Sequence, residues 1–450
     1  MNWLAAHLVL VVTSVATAVA AGVLLRGRRS PQSTLAWLLA IVLVPYVGLP
    51  LYLALGARKR DRISAPPAAS ADVSPPTGEP DRMLRRYGLP AARPGSTVTV
   101  LGTGEDAYRS LIDLVEGARQ SVWVEVFILG DDDAGRGLIE AMTAQAARGL
   151  DVRLLLDAVG SRPLPAERLE PLRRAGGRVA FYEPVLHRPF HGRTNLRNHR
   201  KIFLADETDA VAGGMNVAHE YMGPAPDSAR WRDLSLRLGG PVVGDLAALF
   251  RSDWSWASRT ALPPAHAAPE AAGDSTAQVV PAGPDVASDA LFDVVLALSY
   301  GATERLWIVT PYFVPDDALS RALAVAARRG VDVQLVVPDP SNHRLADLAR
   351  GPALRDLDEA GVTVLRYTRG MVHAKALVAD DVAIVGSANL DPRSLFLNAE
   401  VAVVLYDAPE VETVARWVDA LGDGAERGVV PVGATGQLVE GVARLVAPLL

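Results

Sequence analysis

The chain has 450 residues, half of them apolar, no cysteine, and a formal charge of −6 from 45 basic and 51 acidic side chains. That length holds two or three domains, and the missing cysteines exclude disulfides, thiolate catalysis and cysteine-ligated metals. Seven of the basic residues but only one acid fall within residues 1–62, leaving 38 basic against 50 acidic residues in the remainder. So acidic a body lacks the basic footprint of a nucleic-acid-binding protein, whereas the basic N-terminal flank suits anionic lipid headgroups.

Trp3 to Leu25 is an uncharged apolar run of 23 residues, long enough to cross a bilayer. A cleaved leader is the alternative, but no basic residue precedes the run and it is longer than a leader's apolar core. Leu35 to Leu55 is a second apolar run, broken by Pro45, Gly48 and Pro50, which either kink a full span or mark a re-entrant or interfacial segment. Basic residues lie both between the runs (Arg26, Arg28, Arg29) and after them (Arg58, Lys59, Arg60, Arg62, then Arg82, Arg85 and Arg86). Charge orients the pair weakly and favours a cytoplasmic body.

Ile63 to about Gly95, rich in Pro, Ala and Ser, reads as a tether with some order near Met83–Tyr87. Strand-like runs then alternate with helical ones, the pattern of an α/β protein. Strands are expected at 121–129, 152–156 and 179–182, with helices at 138–148, 166–175 and 241–258. After a Pro- and Ala-rich connection the pattern restarts, with strands at 306–310, 333–337 and 362–367 and helices at 318–329 and 345–360. Ala147-Arg148-Gly149-Leu150-Asp151-Val152 matches Arg328-Arg329-Gly330-Val331-Asp332-Val333, an offset of 181 residues. A duplication this long implies two similar α/β units packed face to face and excludes a solenoid.

Each copy carries one chemical motif. His199-Arg200-Lys201 is followed by Asp206, and His373-Ala374-Lys375 by Asp380, both reading H-x-K-x4-D at a spacing of 174 residues. In a strand, His and Lys two positions apart point the same way. The seven residues by which the two offsets differ fit the polar segment 186–197, which enters the first motif and is a candidate site rim. Small residues close each unit: Gly213-Gly214-Met215-Asn216 and Gly386-Ser387-Ala388-Asn389. Two imidazoles and two ammonium groups suit an anion held from both sides, and a phosphodiester is the obvious one. One imidazole attacks phosphorus while the other protonates the leaving oxygen, and Lys201 and Lys375 hold the non-bridging oxygens. The residues alone leave open which imidazole plays which part. Asn216, Ser387 and Asn389 are candidate substrate-binding residues, the neighbouring glycines letting phosphate approach the backbone. Asp206 and Asp380 fall an odd number of positions from their His, a place suited to bracing the hairpin and the Lys. A metal is not expected, since two ammonium groups would repel a cation and no carboxylate cluster accompanies them; no other cofactor is implied.

The paired motif, with the flanks Asn198-His199-Arg200-Lys201, Gly386-Ser387-Ala388-Asn389-Leu390-Asp391-x-Arg393-Ser394 and Asn398-x-Glu400, resembles the phospholipase D superfamily and, within it, the bacterial cardiolipin synthases. The resemblance covers nearly the whole chain, with no departure at a motif position. It implies two phospholipase D-like α/β sandwich units in pseudo-two-fold arrangement behind N-terminal transmembrane segments. The expected division is an anchor (1–58), a basic flank and linker (59–96), a first unit (97–258), a linker (259–275) and a second unit (276–450). By resemblance His199 is the nucleophile, His373 the acid, and Asp206 and Asp380 belong to the catalytic signature. Glu125 either orients a catalytic His or is a partly buried acid with a local partner. Residues 310–315 line a lipid groove or belong to the core, and Trp231-Arg232-Asp233 is a site rim or a surface turn. The implied activity moves a phosphatidyl group between two phosphatidylglycerol molecules, at the cell membrane, without nucleic acid. A phospholipase D-type hydrolase and a transferase with another alcohol acceptor share these motifs. A nuclease is disfavoured by the acidic body, and a non-enzymatic scaffold by the intact motifs.

Overall fold

The computed structural model describes residues 3–26, 31–56, 59, 75–183, 195–263 and 269–446. Three apolar helices open it: α1 (Trp3–Arg26), α2 (Pro31–Leu43) and α3 (Pro45–Leu55). The 24 residues of α1 make a rod of about 36 Å. Among the residues whose side chains are described, no helix is long and apolar enough to cross a membrane. The second apolar run does not form one kinked span. Pro45 drives Val44 out of the helical region, to φ −132° and ψ 62°, and α3 folds back on α2. Trp37 and Tyr52, which a continuous helix would hold about 22 Å apart, have ring centroids 5.4 Å apart.

A short helix, α4 (Glu79–Arg86), lies within the stretch expected as a tether. Asp81 fixes it, accepting from Arg85 Nε at 2.9 Å, Ala92 N at 3.0 Å and Gln278 Nε2 at 3.1 Å. The first unit follows as β1 (Arg93–Leu101), α5 (Gly104–Gly117), β2 (Ser121–Val126), α6 (Asp133–Ala147), β3 (Asp151–Asp157), α7 (Glu170–Arg174), β4 (Arg178–Tyr182), β5 (Ile202–Ala205), β6 (Asp209–Gly213), β7 (Ser235–Gly239) and α8 (Pro241–Ser258). The second begins β8 (Ser275–Ala282), α9 (Ala290–Gly301), β9 (Arg305–Val309), α10 (Asp317–Arg328), β10 (Asp332–Pro338), α11 (Arg344–Glu359) and β11 (Thr363–Tyr367). It ends β12 (Ala376–Ala379), β13 (Val382–Gly386), α12 (Pro392–Phe396), β14 (Glu400–Leu405), α13 (Ala408–Leu421), β15 (Ala425–Arg427) and α14 (Ala434–Val446). The matched Arg-Gly-x-Asp-Val segments stop equivalent helices: Gly149 (φ +92°) follows α6 and Gly330 (φ +90°) follows α10, in the left-handed region that only glycine enters without strain.

Among the described residues the strands form one 15-stranded sheet, ordered β15-β11-β10-β9-β12-β13-β14-β8-β1-β7-β6-β5-β2-β3-β4. Leaving out β15, the order outward from the β8–β1 contact is the same on both sides. Within each half three strands are parallel (β2-β3-β4 and β9-β10-β11), as helical crossovers require. The two similar α/β units expected to pack face to face are thus joined edge to edge in one sheet. β1 and β8 are the inner edges of the two halves, and they pair antiparallel, Arg93 opposite Ala277 and Ser96 opposite Ser275. Joining them removes two open edges. The halves also share a core around α8 and α13, in which Trp123, Leu204, Phe250 and Trp254 belong to the same cluster as Val378, Val403, Val414 and Val418. On the face opposite α8 and α13, helices α5 and α6 cover the first half and α9 and α10 the second.

Candidate active site

Both motif segments lie just ahead of their strands rather than inside them, β5 starting at Ile202 and β12 at Ala376. Each is held extended by the opposite half of the chain. His199 N donates to Ala399 O at 2.8 Å, and Ala399 N to Arg197 O at 2.8 Å. Reciprocally, His373 N donates to Arg232 O at 2.7 Å, and Arg232 N to Met371 O at 2.8 Å. The two exchanges pair one half's motif with the residue before the other half's buried acid, and so draw both motifs to the junction.

Those acids then take the imidazoles. His199 Nδ1 lies 3.0 Å from Glu400 Oε2 and 3.2 Å from the Ser387 carbonyl, while His373 Nδ1 lies 2.7 Å from Asp233 Oδ2. A carboxylate on Nδ1 fixes the ring with Nδ1–H donating and leaves Nε2 for chemistry. Every partnership crosses the halves: Asp233 serves the second motif and Glu400 the first. Trp231-Arg232-Asp233 is accordingly part of the site, with Trp231 and Tyr221 at 5.5 and 4.9 Å from the His373 ring and Phe127 at 4.7 Å from that of His199.

The lysines return to their own motifs. Lys201 Nζ donates to His199 O at 2.6 Å, and Lys375 Nζ donates to the His373 carbonyl and stands against the ring, 2.6 Å from Nδ1 and 3.1 Å from Nε2. Burial lowers Lys201 to about 7, with Lys375 adding repulsion against the pull of Glu400, and lowers Lys375 to about 8 against Asp233 and Glu400. Burial also lowers His199, with Lys201 and Lys375 adding to it against the pull of Glu400. His373 falls to about 3 through burial and Lys375. Burial tends to raise Glu400 and Asp233, yet both stay below the ordinary carboxylate range, Glu400 through His199 and Lys201 and Asp233 through Lys375 and His373. Each motif thus senses the other's ammonium, as groups facing a common space do. That space is built for an anion: ammonium groups short of their ordinary pKa and two neutral imidazoles all gain from a negative charge.

The small residues have a different task from the one expected. A Cβ on Gly213 (φ +153°) would sit 2.5 Å from Ser235 Cα, and one on Gly386 2.6 Å from Val401 O, so these glycines admit the neighbouring strand. Gly214 leaves room for the Asp233 carboxylate. At the equivalent position Ser387 donates its hydroxyl to Glu400, so Ser387 holds the acid rather than a substrate. Asn216 Oδ1 accepts from Ile128 N at 3.1 Å, and Asn389 Nδ2 donates to Ser394 Oγ at 3.1 Å; both are buried beside the motifs. Glu125, for which orienting a catalytic His and pairing locally were both open, is buried against Asn198 and accepts from its side-chain amide. Burial and Asp253 push its pKa well up.

Asp206 and Asp380 leave the centre altogether. At hairpin turns with φ +53° and +49°, each caps the entry of the adjoining strand. Asp206 accepts from Arg119, Gln120 and Ser121 N at 2.7–2.8 Å, and Asp380 from Thr303, Glu304 and Arg305 N at 2.8–3.0 Å. They brace β2 and β9, as the odd spacing suggested, but do not reach the lysines through these bonds. Asp206→Ala is expected to cost about 1–3 kcal/mol of stability and to leave turnover per folded molecule within a few-fold of the parent. A melt and a rate on the same sample check this, and a loss as deep as that of a His variant would restore a catalytic role.

Among residues 310–315, Phe313 is core. Tyr312 stands at the site, 6.4 Å from the His373 ring. Residues 186–194 of the expected rim lie outside the described residues; of the rest, Arg197 bonds the Glu183 carbonyl at 2.9 Å. Among the described residues no group of three or more His, Asp or Glu could hold a metal ion.

The family model for the cardiolipin synthase phospholipase D-like domain matches residues 111–254 and 297–421. Cardiolipin synthase A of Pseudomonas aeruginosa is 35% identical over 450 residues, covering 94% of this chain and 91% of its own. The chain belongs to the cardiolipin synthase family. A second family member, cardiolipin synthase A of Pseudomonas fluorescens, is 33% identical over 410 residues, 85% of each chain. The model for the phospholipase D-nuclease N-terminal region matches residues 15–56, the part that holds α2, α3 and the second half of α1. In fold, the chain resembles the crystal structure of phosphatidylserine synthase from Haemophilus influenzae, with a TM-score of 0.65 over 83% of this chain and 100% of that one at 16% identity. The cross-paired motifs described above stand within the two matched segments of this cardiolipin synthase family member.

Proposed function

We propose that the chain is a cardiolipin synthase that moves a phosphatidyl group from one phosphatidylglycerol to another, releasing glycerol, through a phosphatidyl-histidine. The carrying observation is the exchange of acids between halves, Glu400 on His199 and Asp233 on His373, which presents two oriented imidazoles to one phosphate. The palindromic strand order supports reading the halves, divided near residues 259–275, as related by a pseudo-two-fold axis through the site.

His199, with Nδ1–H given to Glu400, attacks phosphorus through Nε2. An N–P bond forms and the bond from phosphorus to the glycerol oxygen breaks. His373 supplies that oxygen's proton, and glycerol leaves. Burial and Lys375 hold His373 low; an anionic phosphodiester between the imidazoles opposes both and draws the proton that His373 passes on. Lys201 and Lys375 take the charge developing on the non-bridging oxygens. In the second half His373 removes the proton from the terminal hydroxyl of the second phosphatidylglycerol, whose oxygen displaces His199 from phosphorus. One phosphodiester replaces another, so the exchange is near energy balance and uses no nucleotide.

The fold-back of α3 on α2 supports a membrane anchor made of the α1 rod and a re-entrant or interfacial pair. Lys59 links that region to the body, donating to Gly283 O at 3.0 Å and Asp289 Oδ1 at 3.0 Å. A site held at the bilayer meets lipid acceptors at high effective concentration, which favours transfer over hydrolysis. We place the body on the cytoplasmic side, from the basic flank; protease added to spheroplasts should spare it, and rapid digestion would reverse that orientation.

The reaction is tested with purified protein in phosphatidylglycerol liposomes. Cardiolipin and glycerol should appear in equal amounts without CTP or a CDP-linked lipid, and added glycerol should drive the reaction backward. Phosphatidic acid as sole product would identify a hydrolase.

A further inference from the structure

The helix α14 faces the wrong way for a helix at a water-exposed surface. Its acid, Glu440, is 6% exposed and turned inward on α11. There Glu440 pairs with Arg355, Nη1 at 3.3 Å to one oxygen and Nη2 closer to the other. The inner face is Gly436, Glu440 and Ala443; Ala443 packs with Ala349, Val314 and Leu345, and a Cβ on Gly351 would collide with the Glu440 carboxylate. The outer face carries Leu438, Val439 and Val442, exposed by 69, 47 and 56%. Val430 before the helix and Leu348 on α11 are also exposed. Ordinary amphipathic packing would bury the Leu–Val face and solvate the acid. The helix has been turned over, and the buried ion pair holds it that way.

Position and charge indicate what covers this face. Leu345 follows His343, whose ring is 5.3 Å from Tyr312, and Tyr312 stands 6.4 Å from the His373 ring. Tyr312 Oη also donates to Asn342 at 2.6 Å. The α11–α14 contact therefore runs to the lip of the active site. On the opposite side of the site, Lys59 grips the loop that begins at Gly283, packed against Asn398 and Ala399, the segment that pairs with His199. Arg344 is exposed at the start of α11, and Arg444, also exposed, lies 3.6 Å from Asp317 at the start of α10. After Val446 the sequence continues Ala-Pro-Leu-Leu.

We propose that the outer face of α14 docks in the headgroup–acyl boundary of an anionic glycerophospholipid bilayer, holding the active-site mouth against the surface from which substrate enters. This rests on the reading of the chain as an enzyme of membrane lipids. Leu438, Val439 and Val442 enter the apolar boundary, and Arg344 meets phosphates. A second copy of the chain is the competing occupant, and the test separates it.

Because the chain has no cysteine, Val439→Cys provides a single attachment point for an environment-sensitive fluorophore on the full chain in phosphatidylglycerol-containing proteoliposomes. Nitroxide-labelled lipids should quench the label at 439 at least several-fold more than one at Arg109→Cys, on exposed α5 of the first unit. Equal quenching at the two sites overturns the proposal. So does energy transfer between labelled copies without lipid quenching, which would assign the face to self-association. The readout needs no turnover: lipid quenching in a protein that makes no cardiolipin would keep this docking and sink the proposed reaction, whereas cardiolipin formation without quenching would do the reverse.

Discussion

His199→Ala lowers cardiolipin formation by roughly 10⁴-fold or more while the protein stays folded and bound to membranes. In the proposed mechanism the imidazole is the nucleophile, and none of its neighbours is placed to replace it. Glu400 and Ser387 are committed to each other, and Lys201 is folded onto the His199 carbonyl. Losing the ring removes one of three side-chain partners of the Glu400 carboxylate without disturbing the backbone exchange with Ala399, so the melt should move little. A rate assay beside a thermal melt checks both parts. Activity within tenfold of the parent would remove His199 from the nucleophile's role.

Arg200→Met has the largest expected effect on stability. The guanidinium between His199 and Lys201 is wholly buried and makes bonds in both halves: Asp253 on α8, Asp285 at 2.8 Å, the Ala282 carbonyl at 3.1 Å and the Glu400 carbonyl at 3.0 Å. Burial works against its charge, but Asp253 and Asp285 outweigh burial and raise its pKa. Methionine fills much of the volume but leaves those acids without their cation. Breaking a buried pair from one side costs about 3–5 kcal/mol. Because the Glu400 carbonyl also loses its donor, turnover in the folded fraction should fall too. A melt in detergent micelles together with a rate normalised to folded protein reads both losses; an unchanged melting point would mean the cluster does not hold the halves together.

The motif was legible in the chain because H-x-K-x4-D recurs whole, and a duplicated pattern carries its own control. Most interior strands and helices were legible for the same reason, α8 to the residue. The acids on the imidazoles were harder to read. Asp233 lies 140 positions from His373, and Glu400 lies 201 from His199; only the junction of the halves makes them neighbours. β1 was not read as a strand because it starts Arg-Pro-Gly at the end of the Pro-rich tether and alternates weakly, and β8 begins on the last residue of the expected linker. Their pairing, which fuses the sheet, is a tertiary event that no local pattern encodes. Glu125 stayed open between two readings because a strand acid looks alike whether it faces a catalytic His or, as here, Asn198. The glycines show the same limit: the sequence shows room, and only the fold shows that Asp233 and the next strand fill it.

The central claim, a phosphatidyl group carried on His199 and released by His373, is tested most directly with His373→Ala and a phosphatidyl ester of p-nitrophenol. This leaving group departs without a proton, so the variant should complete the first step and stall before the second. One equivalent of nitrophenolate per chain should be released in a burst, and mass spectrometry under alkaline conditions should find the phosphatidyl group on the peptide containing His199. A burst in His199→Ala with the adduct on His373 would reverse the assignment, and turnover without any covalent adduct would contradict the mechanism.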